Sequence, residues 1–262
     1  MGREPTPVVQ EGSGRVLRNG LRARGLHTAL FLAAGFLLLS GMAILGEGVP
    51  ELQNLLGGHV ATGRWHRWIG LGLVITLVLL VPLLRPRAVL TFLRESARFS
   101  RLDFGWVRSF PGFALGLSRQ KLPWHGGHFD PGQRLFNLAL VAALLALSVT
   151  GVLMAFPDRF QPLVFAWSLR IHRIATWLFV ALAAAHIFVA SGLLPGYRGV
   201  WRAMLGSGRV NRSLARALWP GWVERADAAD TAQSANKEVL TRTPARAGTL
   251  PSSSQTAVHR GQ

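Results

Sequence analysis

The sequence predicts an all-α membrane protein, a four-transmembrane-helix bundle with both termini cytoplasmic, on three observations. Half of the 262 residues are hydrophobic and only 16% are charged, a lower charge content than soluble domains of this size carry. Four apolar runs, at 26–45, 68–84, 135–156 and 174–194, each approach the ~20 residues that cross ~30 Å of hydrocarbon as a helix. Helices are expected because lipid offers no partner to an open sheet edge. Third, arginine and lysine crowd residues 1–24, 85–134 and the tail from Arg198, while the connections 46–65 and 157–171 are nearly balanced. That alternation follows the positive-inside rule and puts both termini in the cytoplasm of a bacterial inner membrane.

Taken in order, residues 1–20 are polar and charged without hydrophobic periodicity, so a flexible N-terminus is expected. The first span covers about 26–46. Basic residues precede it, but its apolar stretch is longer than the ~7–15 residues of a signal-peptide core and no A-x-A site closes it, so it reads as a retained helix. The second span covers about 66–85. The connection 86–133 begins with an interfacial helix at 88–99 and continues into an aromatic stretch broken by Gly and Pro. Spans three and four cover about 134–156 and 170–194. Segments 197–205 and 209–218 read as short basic amphipathic helices, and 224–262 as a disordered tail. The four spans and their connections form one domain over 21–223.

Net charge is +17. Its placement beside helix ends accounts for it through anionic lipid, and no DNA-binding motif accompanies it, so nucleic acid is not expected as a partner. There is no cysteine, which excludes disulfides, thiolate-bound metals and cysteine-ligated Fe–S clusters in this chain.

The histidines carry the chemistry. Of eight, His27, His66, His172 and His186 lie at or inside the spans, where an ionisable side chain is costly and has a functional reason. His172 and His186 are fourteen residues apart on one helix, ~3.9 turns and ~21 Å, so they share a face at two depths. Span direction pairs His66 with His172 toward the periplasm and His27 with His186 toward the cytoplasm. Two depths with two imidazoles each suit two haem b groups, their irons axially saturated and fit for electron transfer. His59 competes with His66 for the outer position. Gly70 would let a flat macrocycle approach the backbone, as would glycines 35, 41 and 151, although close helix packing explains them too. A zinc site is disfavoured, because no carboxylate or thiol completes either pair.

Several stretches resemble a known family. They are R-x-R-G-L-H at 22–27, W-H-R-W-I-G at 65–70, D-P-G-Q-R-L-F-N at 130–137, the two-histidine fourth span and the basic region after it. The chain is similar over 15–223 to the cytochrome b (gamma) subunit of membrane-bound formate dehydrogenases. That subunit sits within the wider bacterial group of di-haem b561 and nickel–iron hydrogenase b subunits. The resemblance implies a periplasmic molybdopterin subunit and an Fe–S subunit as partners, with menaquinone or ubiquinone as electron acceptor near the inner haem. It also implies a quinone site at Asp130, Gly132 and His186. The family has asparagine where this chain has Asp130, which adds a group able to relay a proton; Asp130 followed by Pro131 equally reads as a helix cap. His125 and His128 read as proton carriers or ordinary surface residues. Nothing in the chain provides for formate oxidation itself; any enzymatic role is quinone reduction within a complex. Service to a hydrogenase or thiosulfate reductase, or a stand-alone b561-type quinol oxidoreductase, is the alternative.

Overall fold

The computed structural model describes residues 14–46, 50–117 and 122–242. The expected flexibility of 1–13 and 243–262 falls outside those residues. Four helical rods are long and apolar enough to cross a membrane: Leu21–Ile44, His59–Leu84, Pro131–Ala155 and Pro162–Ala190. The first is α1 (Leu21–Ile44), followed by the short α2 (Pro50–Leu55). The second rod joins α3 (His59–Val74), a π-helical turn over Ile75–Leu80, and α4 (Val81–Leu84). Pro82 has no N–H to give to the preceding turn, and the helix widens just before it. The third and fourth rods are α7 (Pro131–Ala155) and α8 (Pro162–Ala190).

All four rods begin earlier than the apolar runs that predict them, by as many as twelve residues in α8. Hydropathy marks the lipid-facing middle of a helix, whereas the helix itself runs back to its cap. For α7 that cap is Asp130, whose Oδ1 accepts from the Gln133 amide at 2.8 Å, with Pro131 in the first turn. The helices α7 and α8 pack along one another, and α3 packs against both α1 and α7.

The connection between the second and third spans is two helices, α5 (Pro86–Ala97) and α6 (Arg101–Ala114). The first matches the expected interfacial helix. The second replaces the expected Gly/Pro-broken stretch. A capping box starts it, with the Ser100 amide donating to Asp103 Oδ2 at 2.6 Å, and Pro111 falls only in its last turn.

Beyond α8 the chain builds a compact cap. Residues 195–203 make two 3₁₀ turns, not the helix expected over 197–205. The ribbon strands β1 (Arg15–Leu17) and β2 (Arg209–Asn211) then pair antiparallel, Val16 opposite Val210. Residues 14–20 therefore fold, contrary to the flexible N-terminus expected for them, because Val16 and Val210 each bury all but 1% of their surface. Gly208 turns the chain into β2 at φ +80°, where a Cβ would collide with the Asn19 carbonyl. The helix α9 (Arg212–Leu218) follows, then α10 (Pro220–Arg242). Helix over 224–242 corrects the expected tail: alanines 226, 228, 229, 232 and 235 have high helical propensity although no long apolar face announces them.

The principal buried cluster lies in this cap, among Val16, Trp106, Tyr197, Val210, Leu218 and Val223. Beside it Arg134 of α7, 5% exposed, donates to the carbonyls of Phe129 (3.0 Å) and Arg98 (2.6 Å) and to Asp103 Oδ2 (3.1 Å). One guanidinium thus ties α6, the loop and α7. Arg134→Met leaves the Asp103 carboxylate buried and unpaired, so it is expected to destabilise the cap by about 3–5 kcal/mol. Arg216→Met, at an exposed ion pair with Asp227, should change stability by less than about 1 kcal/mol. Denaturant titration followed by tryptophan fluorescence checks both.

Candidate functional site

Each of the four spans delivers one polar side chain to a layer far from the cap. In α1, Ser40 is fully buried and its Oγ donates to the Phe36 carbonyl, one turn back, at 2.7 Å. In α7, Thr150 repeats the arrangement, its Oγ1 donating to the Ala146 carbonyl at 2.6 Å. The Ser40 hydroxyl lies 2.9 Å from His66 Nδ1 of α3, and the Thr150 hydroxyl 2.8 Å from His172 Nδ1 of α8. A hydroxyl has one hydrogen. Because both hydrogens go to backbone carbonyls, each oxygen accepts, and both imidazoles carry their proton on Nδ1. That leaves both Nε2 atoms with free lone pairs. The His66 and His172 rings are near enough to interact electrostatically.

The residue after each hydroxyl is glycine, for a steric reason. A Cβ on Gly41 would come within 3.2 Å of His66 Cε1, and one on Gly151 within 3.6 Å of His172 Cε1. These glycines therefore make room for the imidazoles. Gly70 is near only Leu37. His59 begins α3, two turns before His66.

The second layer is on the cap side. His27 of α1 and His186 of α8 face each other with ring centroids 6.3 Å apart. Metal–imidazole bonds of about 2.0–2.1 Å on both sides of one ion, plus about 1.1 Å from nitrogen to centroid, give about 6.3 Å. At that separation the two imidazoles could hold one metal ion between them. His27 Nδ1 is buried with no hydrogen-bond partner among the described residues, so this ring is not held by an ordinary structural bond. Phe136 of α7 stacks on His186 at 4.9 Å and 17°.

The layers repeat on three helices. From His27 to Ser40, Phe136 to Thr150 and His172 to His186 the steps are thirteen, fourteen and fourteen residues, each about 20 Å of helix. No trio of His, Asp or Glu among the described residues converges as a metal cluster. Paired imidazoles between apolar helices fit a haem, which brings its own four equatorial donors and needs only two from the protein.

Asp130 and Gly132 lie together at the start of α7, and Phe136 follows Gly132 by one turn, so this helix links them to His186. Trp106 covers Gly132; a Cβ there would meet its indole at 3.1 Å. Burial pushes the Asp130 carboxyl up to about 6, with Arg18 and Arg134 beside it opposing the shift. Neither His125 nor His128 is an ordinary surface residue. His125 is 4% exposed, with Nε2 2.8 Å from the Leu218 carbonyl, and burial lowers its pKa. Burial, then Arg18 and Arg225, holds His128 down at about 3. In both, burial disfavours the charged imidazolium.

Sequence reasoning missed Ser40, Thr150 and Phe136. The hydroxyls did carry a signal: each precedes a glycine inside an otherwise apolar span.

No curated protein matches the chain. A family model for prokaryotic cytochrome b561 matches residues 14–207, well over half of the chain and all four histidines of the two layers. With four apolar spans and paired imidazoles inside them, the chain belongs to the prokaryotic cytochrome b561 family of membrane haem b electron-transfer proteins.

Proposed function

We propose that the chain is the di-haem cytochrome b subunit of a respiratory formate dehydrogenase in a bacterial inner membrane, with both termini cytoplasmic. In that role it takes electrons from a periplasmic Fe–S subunit, supplied by a molybdopterin subunit, and passes them to menaquinone or ubiquinone. The two-layer repeat of paired histidines supports a count of two. The formate assignment rests on the motifs at 22–27, 65–70 and 130–137. Bound haem b supplies one-electron transfer through a saturated iron. His66 and His172 would hold the outer haem, His27 and His186 the inner one.

Around those ligands the protein's contribution is orientation and electrostatics. Ser40 and Thr150 lock the Nδ1–H tautomer of the outer pair and, by accepting that proton's hydrogen bond, raise the basicity of Nε2. Phe136 fixes the plane of His186. The quinone would lie near Asp130, Gly132 and His186, with Asp130 able to exchange a proton close to neutral pH. Service to another dehydrogenase is the second reading, favoured by a family match made at the level of the whole b561 group. Affinity purification of the tagged chain decides between them: a molybdopterin and Fe–S subunit pair with formate-dependent haem reduction supports the first, and a different dehydrogenase supports the second.

Two b haems per chain are expected by pyridine-haemochrome assay, falling to one in His172→Ala and in His186→Ala; one haem in the unmodified chain would overturn the pairing. Thr150→Val and Ser40→Ala weaken donation to the outer iron, so each should raise the midpoint potential of one haem only. Thr150→Ser and Ser40→Thr should restore it, as redox titration will show.

The Asp130 carboxyl binds its proton more tightly in the fold (about 6) than unfolded (3.8). Its stability contribution is therefore greatest below pH 3.8 and is lost as pH rises through 6. Asp130→Asn keeps the cap acceptor and removes the charge. It is expected to melt above the unmodified chain at pH 7–8, by up to about 3 kcal/mol, with the difference vanishing near pH 4. In the same variant quinone reduction should slow at least about tenfold at pH 7 without loss of haem.

A further inference from the structure

The cap contains a second site, made of arginine. A cavity of about 300 Å³ opens between the ribbon and the turns that follow α8, and Arg15, Arg198, Arg202 and Arg209 line it. Strand alternation explains half of this set. Val16 and Val210 face the core, so Arg15, Arg209 and Asn211 project from the opposite face of the ribbon. Arg198 and Arg202 come from the turns beside it, which are anchored by Val200 and Ala203 in the core. The arrangement is fixed by apolar burial, not by any attraction among the arginines.

Four guanidinium groups around one cavity repel each other unless something neutralises them. Among the described residues no carboxylate lines the cavity, and Arg209 Nη1 is buried without a hydrogen-bond partner. The contrast is local: Arg212 and Arg216, a few residues on, share Asp227. Converging guanidinium forks match the oxygens of phosphate.

The position is equally informative. Arg15 lies just before α1, and Arg198 and Arg202 just after α8, so the site sits where two spans leave the membrane. Leu193, Trp201 and Leu205 beside it are exposed apolar side chains, 71%, 41% and 67% accessible, as suits the headgroup zone. Arg209 and Asn211 lie past the residues matched by the family model.

We infer that this cavity binds a phosphate group, the phosphodiester of an anionic phospholipid headgroup or a free phosphate anion, through Arg15, Arg198, Arg202 and Arg209. The test is native mass spectrometry of the purified, haem-loaded full chain, titrated with phosphatidylglycerol, phosphatidylcholine and inorganic phosphate. Phosphatidylglycerol should bind at least about tenfold more tightly than phosphatidylcholine, and the double change Arg198→Gln/Arg209→Gln should abolish that preference. Arg15→Gln and Arg198→Gln, each at an exposed side chain, should weaken it singly and serve if the double variant does not fold. Arg85→Gln/Arg87→Gln, in another basic segment, should leave it intact. Displacement of the lipid by millimolar inorganic phosphate, at the same arginines, assigns the site to the free anion; resistance to displacement assigns it to the headgroup. A phosphatidylglycerol preference unchanged in the arginine variants would overturn the site, as would failure of both phosphatidylglycerol and phosphate to bind.

Discussion

Holding imidazoles inside a membrane constrains every span of this protein. A polar ring in hydrocarbon is costly unless each nitrogen has an assigned partner. At the layer of His66 and His172 the partners are two hydroxyls that have already spent their hydrogens on their own helices, Ser40 on Phe36 and Thr150 on Ala146. This fixes the proton on Nδ1 and leaves Nε2 as a base. Four helices are needed to complete that layer, because each imidazole and each hydroxyl comes from a different one. The neighbouring glycines 41 and 151 follow from the same requirement, since a methyl group would press on the rings.

The two layers are not equivalent. His66 and His172 are oriented by side-chain hydroxyls, while on the cap side His186 is held by the face of Phe136 and His27 Nδ1 has no partner among the described residues. A hydrogen bond accepted from Nδ1–H makes the other ring nitrogen a stronger donor toward a group it would hold. The asymmetry in protein contacts therefore gives the two histidine pairs different electronic environments.

The cap serves a different purpose from the spans. In it lies the main apolar cluster of the described residues, and it gathers the N-terminal ribbon, the turns after α8 and the amphipathic helices α5 and α6 around Arg134 and the start of α7. Because α7 begins at Asp130, an order imposed on the cap is an order imposed on the helix that carries Phe136 and Thr150. The same ribbon that buries Val16 and Val210 turns its arginines outward, so a single alternation of side chains produces both a core and a cationic face.

The four spans were legible in the sequence because hydrocarbon demands about twenty apolar residues whatever surrounds them, and the histidine layers because fourteen residues return to nearly the same helical face. The ribbon was not legible: three-residue strands carry no periodicity, and β1 acquires its partner from almost two hundred residues away. Helix α6 was hidden by its glycines and proline, and α10 by the lack of an apolar stripe. The shell of the site was likewise a tertiary matter. Sequence by itself determined that His66 and His172 share a depth; only the packing of four helices decided that Ser40 and Thr150 would meet them. Periodicity along one helix specifies which residues share its face, but which hydroxyl stands opposite which imidazole depends on how separate helices are rotated and set against each other.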